Sequence, residues 1–256
     1  MRVAHLTKLI ILGSANAVPD LYHENTYMVL VGQERGVLID CVGNPLLRFQ
    51  QVGLEVDHLE DIILTHFHPD HVSGVPSFLM NTWLMGRKKP IDIYGLGYTV
   101  ERMEKVMDFF DWTSWPNLYP VNFHSLPERE MTPVLETDEY RLFSSTVRHL
   151  IPTIGLRVEF PQSGKALAYS CDTEPCEQVV RLASGVDVLI HEAAGGTIGH
   201  SSAAQAGEIA AQAGAKSLYL IHYPTQGVNH ASLLAEARTT YAGPVALAED
   251  FLELNF

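Results

Sequence analysis

No stretch of this chain is apolar for long enough to form a membrane-spanning helix. Repeats, low-complexity tracts and Pro/Ser-rich linkers are also missing, so one domain over residues 1–256 is expected and no membrane partner is. Positive charge is scarce: 17 Lys and Arg face 30 Asp and Glu, a formal net charge of −13. A protein that tracks phosphate backbones usually shows a basic face. The one basic cluster, Arg87-Lys88-Lys89, reads as a solvated turn before Pro90. Long nucleic acid is therefore not the expected partner. Cysteines number three, and the scatter of Cys41, Cys171 and Cys176 suits neither a disulfide framework nor a zinc knuckle. Reduced thiols in a cytoplasmic protein are expected.

Arg2 and Lys8 precede "LIILGSANA", and Ala15-Asn16-Ala17 looks like a signal-peptidase site. The apolar segment between them is only about five residues, short of the usual 7–15. A first strand, Val3–Leu12, is expected there instead of a cleaved signal.

What is present is a core: 46% of residues are apolar. Strands are expected at Thr26–Val31, Val37–Asp40, Ile62–Thr65 and Ile91–Tyr94, with a helix from His71 and another over Val100–Phe110. Residues 111–137, dotted with Pro and Trp, read as a packed connection in preference to a lid. Three strands, Arg141–Arg148, Ile154–Phe160 and Lys165–Ser170, come next. The last third alternates: strand Val186–His191, helix Ala203–Ala213, strand Ser217–Ile221, helix Ala231–Tyr241, strand Val245–Ala248. This order predicts an α/β chain with two sheets packed together and helices outside.

The chemistry concentrates in "ILTHFHPDHVSG", residues 63 to 74. His66 and His68 alternate along an extended segment and can face one point. Pro69 stiffens the turn, and Asp70 and His71 open a helix toward a second point. Two adjacent borderline-hard cations would accept this His/Asp mixture. Taken singly, Asp70 could be a helix cap and His66 a core histidine; the four together favour metal. One loop cannot complete two coordination shells. His149, Asp172 and His222 each follow an apolar strand, as His66 does, and are the candidate remaining ligands.

The chain resembles the metallo-β-lactamase superfamily, and within it the ribonuclease Z-like branch. The likeness runs from "LGSANAVPDLYHENTYMVL" through "GVLIDC", "ILTHFHPDHVSG" and "IDIYG" to "HEAAGGTIGHSSAAQAGEIAAQAGAKSLYLIHYP". It implies a four-layer αββα sandwich with a dinuclear site at the sheet edge. It also implies a first metal on His66, His68 and His149, a second on Asp70, His71 and His222, and Asp172 as the bridge. Two divalent ions are implied, zinc as the usual occupant, with manganese or iron among relatives. His200 would protonate the leaving oxygen, and Glu192 would orient it. Two cations lower the pKa of a bridging water, which attacks as hydroxide, and Asp70 could orient that water. Homodimers are common among relatives, although no interface is legible here.

The chain also departs from the branch. True ribonuclease Z carries a tRNA-gripping arm between the third histidine ligand and the bridging aspartate. Here 22 residues separate His149 from Asp172, and two strands and a turn fill them, so the arm is expected to be absent. Cys171 stands where the branch usually has Gly, and a packed side chain is expected. "HEAAG" at His191 is not a zincin motif, because position 195 is Gly; His191 reads as structural. The expected function is a metal-dependent hydrolase of small or exposed phosphodiesters. Hydrolysis of another ester on the same metals (aryl sulfate, thioester or lactone) is the alternative. Ribonuclease Z activity on tRNA 3′ ends and a non-catalytic metal sensor are less favoured.

Overall fold

The computed structural model describes residues 7–256. The expected strand Val3–Leu12 thus begins outside the described residues; its described part is β1, Lys8–Gly13. The first half continues with β2 (Tyr27–Val31), β3 (Gly36–Ile39), α1 (Pro45–Gln51), β4 (Leu59–Ile63), α2 (Pro69–Val72), α3 (Val75–Leu84), β5 (Ile91–Leu96), α4 (Gly97–Phe109) and β6 (Val121–Leu126). The second half holds β7 (Thr132–Glu136), β8 (Arg141–Val147), β9 (Thr153–Phe160), β10 (Lys165–Tyr169), α5 (Glu177–Leu182), β11 (Val188–Glu192), α6 (Ala203–Ala213), β12 (Leu218–Ile221), α7 (His230–Ala237), β13 (Val245–Leu247) and β14 (Glu253–Asn255).

Two seven-stranded sheets result, ordered β14-β1-β2-β3-β4-β5-β6 and β13-β12-β11-β10-β9-β8-β7. Each is antiparallel on one side and parallel on the other: β3 to β6 run parallel in the first, β10 to β13 in the second. Three apolar layers hold the sandwich. Leu30, Ile39 and Ile63 from one sheet meet Leu142, Leu156 and Ile190 from the other. The first sheet's outer face packs Ile62 and Ile93 on Phe49, Phe78 and Met103 of the helices. The second sheet's outer face packs Leu189 and Leu218 on Val179, Ile209 and Leu233. The buried strands read as near-continuous apolar runs because both their faces are covered. The layers are therefore αββα, as expected, and no described helix is long and apolar enough to cross a membrane.

Within residues 111–137, Trp115 stacks on Trp83 at 5.1 Å and Tyr119 is buried against Thr82, while most other positions are exposed. The segment also carries the edge strands β6 and β7, which the sequence did not signal. Arg87 corrects the expectation of a solvated turn. It is 3% exposed, and its guanidinium donates to the carbonyls of Val56, Leu59, Lys89 and Pro90. Its five-donor fork thereby ties the segment that enters β4 to the one that enters β5.

Helix α6 opens with the expected capping box, Ser202 with Gln205. It packs on α7 so closely that a Cβ on Gly207 would lie 2.4 Å from the Ala237 carbonyl oxygen. Gly207→Ala is expected to cost about 1–3 kcal/mol by overpacking, read as a lowered midpoint in urea unfolding.

Candidate metal centre

The candidate residues sit on loops that leave strand ends on one edge of the sandwich. His66 follows β4, and the single turn α2 carries Asp70 and His71. His68 caps that turn without a side-chain bond, so Asp70 is not its N-cap. His149 follows β8, Asp172 follows β10, Glu192 ends β11 and His222 follows β12. In open α/β sheets the carboxyl ends of parallel strands are the usual binding edge.

The side chains converge in two groups. His66 Nε2 lies 3.0 Å and His149 Nε2 3.2 Å from His68 Nδ1. Donors of a tetrahedral zinc shell at about 2.0–2.1 Å stand about 3.3 Å apart, so these three nitrogens fit one cation. In the second group, Asp70 Oδ2 lies 3.7 Å from His71 Nε2 and 3.9 Å from His222 Nε2. Asp172 Oδ2 stands between them, 3.3 Å from His222, 3.6 Å from His71, 3.9 Å from His66 and 4.0 Å from His149. His71 Nε2 and Asp172 Oδ1 are buried without a hydrogen-bond partner. Buried polar atoms are rarely left orphaned; a cation would satisfy both.

Each inner imidazole is turned by its other nitrogen. His71 Nδ1 lies 2.7 Å from Asp40 Oδ2, and His149 Nδ1 lies 2.6 Å from the Gly199 carbonyl. Both partners accept, so both rings carry Nδ1–H and turn Nε2 toward the cluster. His66 does the same through Thr65 Oγ1 at 3.1 Å, since that hydroxyl donates to Asp40. Cys171 Sγ is fully buried, 3.5 Å from His66 Nδ1, and groups with donor atoms of His66 and His71 that all lie within 4.8 Å of one another. The backbone is left-handed at Asp40 (φ 60°), Cys171 (φ 55°) and His222 (φ 53°). Such positions cost about 1–3 kcal/mol each and cluster at functional sites.

Burial opposes ionisation of Asp172, but His222 and His71 outweigh it and hold the carboxyl well below its usual range. Burial pushes His66 well down and His222 down to about 4. At His71 burial is overcome by Asp172 and Asp40, which hold it well above its ordinary value. His200 Nδ1 donates to Glu192 Oε1 at 3.1 Å. That bond raises the His200 pKa, while burial pushes Glu192 up to about 7. Glu192 also accepts from the backbone N–H groups of Thr173, Ala194 and Ser201. It therefore anchors three loop segments as well as the imidazole. His191 is buried, pushed down to about 4 by that burial, and stays outside the cluster.

Asp40 was not singled out as a site residue, although "GVLID" places an acid at a strand end just as the ligand motifs do. Asp40→Asn is expected to weaken metal binding by about 10- to 100-fold, measured by competition with a chelating dye.

Residues 35–223, which span every candidate from His66 to His222, match the family described as "Beta-lactamase superfamily domain". The chain belongs to the beta-lactamase superfamily. It is 27% identical to a ribonuclease Z of Methanothermobacter thermautotrophicus, over 98% of this chain and 97% of that one. The 305 aligned positions exceed the 256 residues here, so that relative carries segments without counterpart. The crystal structure of YhfI, a metallo-beta-lactamase fold protein from Bacillus subtilis, superposes with a TM-score of 0.83 at 21% identity, covering 98% of this chain and 100% of that one. The short form of human tRNase Z superposes with a TM-score of 0.78 at 22% identity, covering 97% and 98%. Within the superfamily the chain is ribonuclease Z-like, without the arm: β9, a turn and β10 fill the span from His149 to Asp172.

Proposed function

We propose that this protein hydrolyses small or exposed phosphodiesters at a centre of two divalent cations, zinc in this reading. His66, His68 and His149 would hold one, Asp70, His71 and His222 the other, and Asp172 both. Bound there, the pair supplies Lewis acidity and water of lowered pKa, so no Ser or Cys nucleophile is needed.

The observation that carries the reading is His200. It is half-buried beside Asp172, 4.0 Å from Oδ2, and its Nδ1 is taken by Glu192. Nε2 is left as the atom that gives a proton to a departing oxygen. An alkoxide leaving group needs that proton far more than a thiolate does, which favours phosphodiesters over thioesters. Asp70, 15% exposed at the mouth, can orient a water as a hydrogen-bond acceptor. The short His149–Asp172 span and the net charge of −13 support a small substrate over a long RNA.

A panel of bis-p-nitrophenyl phosphate, aryl sulfate, thioester and lactone tests the assignment. Turnover of the phosphodiester above the others is expected; none on the phosphodiester rejects it.

A further inference from the structure

The segment from Ser14 to Thr26 supplies no ligand and no group of the proposed chemistry, yet it grips the last ligand from two sides. The backbone N–H of His222 donates to the Ser14 carbonyl at 2.9 Å, and the Asn16 N–H donates to the Tyr223 carbonyl at 3.1 Å. Ala15 forms isolated bridges with both Asn25 and Tyr223. The ring is held as well: Thr26 Oγ1 lies 3.1 Å from His222 Nδ1, and both residues are buried.

The hydroxyl has one hydrogen, and it is committed. Thr26 Oγ1 donates to the Ala15 carbonyl at 2.9 Å. Toward His222 it can therefore only accept, which requires Nδ1–H on the imidazole. A neutral imidazole with Nδ1–H carries its lone pair on Nε2, the atom 3.9 Å from Asp70 Oδ2 and 3.3 Å from Asp172 Oδ2. Thr65 imposes the same tautomer on His66 from within the histidine loop, whereas Thr26 acts across 196 positions of sequence.

We propose that Thr26 is a positioning residue for the metal centre, its hydroxyl fixing the His222 tautomer that turns an Nε2 lone pair toward Asp70 and Asp172. This rests on the metal site of the proposed function. The left-handed backbone of His222, φ 53°, is held by the Ser14 carbonyl and the ring by Thr26, so the β1–β2 connection sets both the direction and the protonation of this ligand.

Zinc titration of the metal-depleted full-length protein, in competition with a chelating indicator, tests it. Wild type is expected to take two equivalents. Thr26→Val keeps the shape but removes the acceptor, and is expected to weaken one equivalent by about 10- to 100-fold while sparing the other. Thr26→Ser restores the hydroxyl and is expected to restore the affinity. Unchanged zinc affinity in Thr26→Val, equal weakening of both equivalents, or a Ser variant as weak as Val would each overturn the role. Should Thr26→Val not fold, Thr26→Ser against Thr26→Ala gives the same comparison, and equal affinities overturn it. A wild type that binds no zinc defeats the proposed function along with this inference; a wild type that binds two with an unaffected Val variant defeats only the inference.

Discussion

Replacing His200 by Ala lowers kcat/KM for an alkyl phosphodiester by about 10²- to 10⁴-fold and leaves the metal content unchanged. The expectation follows from where the ring stands. Its Nδ1 is fixed by Glu192 at 3.1 Å, so Nε2 is the free proton-carrying atom. The loss depends on the leaving group: nitrophenolate departs without a proton, so an activated nitrophenyl substrate loses much less than an alkyl one. Equal losses on both would remove the proton-donor role. The pH profile gives a second check. Glu192 raises the His200 pKa above its ordinary value, and the donor is the protonated form. Activity assigned to His200 is thus present below that raised pKa and lost as pH rises through it. Glu192→Gln, which removes the anion, is expected to move this alkaline limb to lower pH.

Asp172→Asn is expected to abolish turnover and to reduce metal affinity by more than the roughly 10- to 100-fold typical of groups behind the ligands. Its Oδ2 is within 4.0 Å of His66, His71, His149 and His222, and so reaches both donor groups. The substitution keeps the volume but removes the charge that would offset the two proposed cations in a buried site. Metal analysis of the variant, with a circular-dichroism spectrum to verify folding, reads the result. Two retained equivalents would contradict the bridging assignment.

The layer order and most strands were legible because buried parallel strands leave long apolar runs, as in "DIILT" and "SLYLI", whereas half-buried edges do not. Strand β6, "VNFHSL", is exposed at several positions and lies in a segment full of Pro and Trp; its pairing with β5 is set by tertiary contact. Histidine and aspartate candidates stood out because four are crowded into six positions and the rest follow apolar strands. Asp40, Thr65, Thr26 and the Gly199 carbonyl did not, since their roles depend on which nitrogen of a distant ring they face. A buried hydroxyl or a backbone carbonyl carries no signature of its own. Arg87 departs from a solvated turn for a related reason: a basic triplet before Pro looks solvated until folding brings to it the carbonyls that it satisfies.

The most direct measurement is the metal content of the full-length protein purified without chelator. About two equivalents of divalent metal per chain are predicted, falling when His149, Asp172 or His222 is replaced. A folded protein that neither retains nor takes up metal, with the same thermal midpoint before and after zinc addition, would contradict the account.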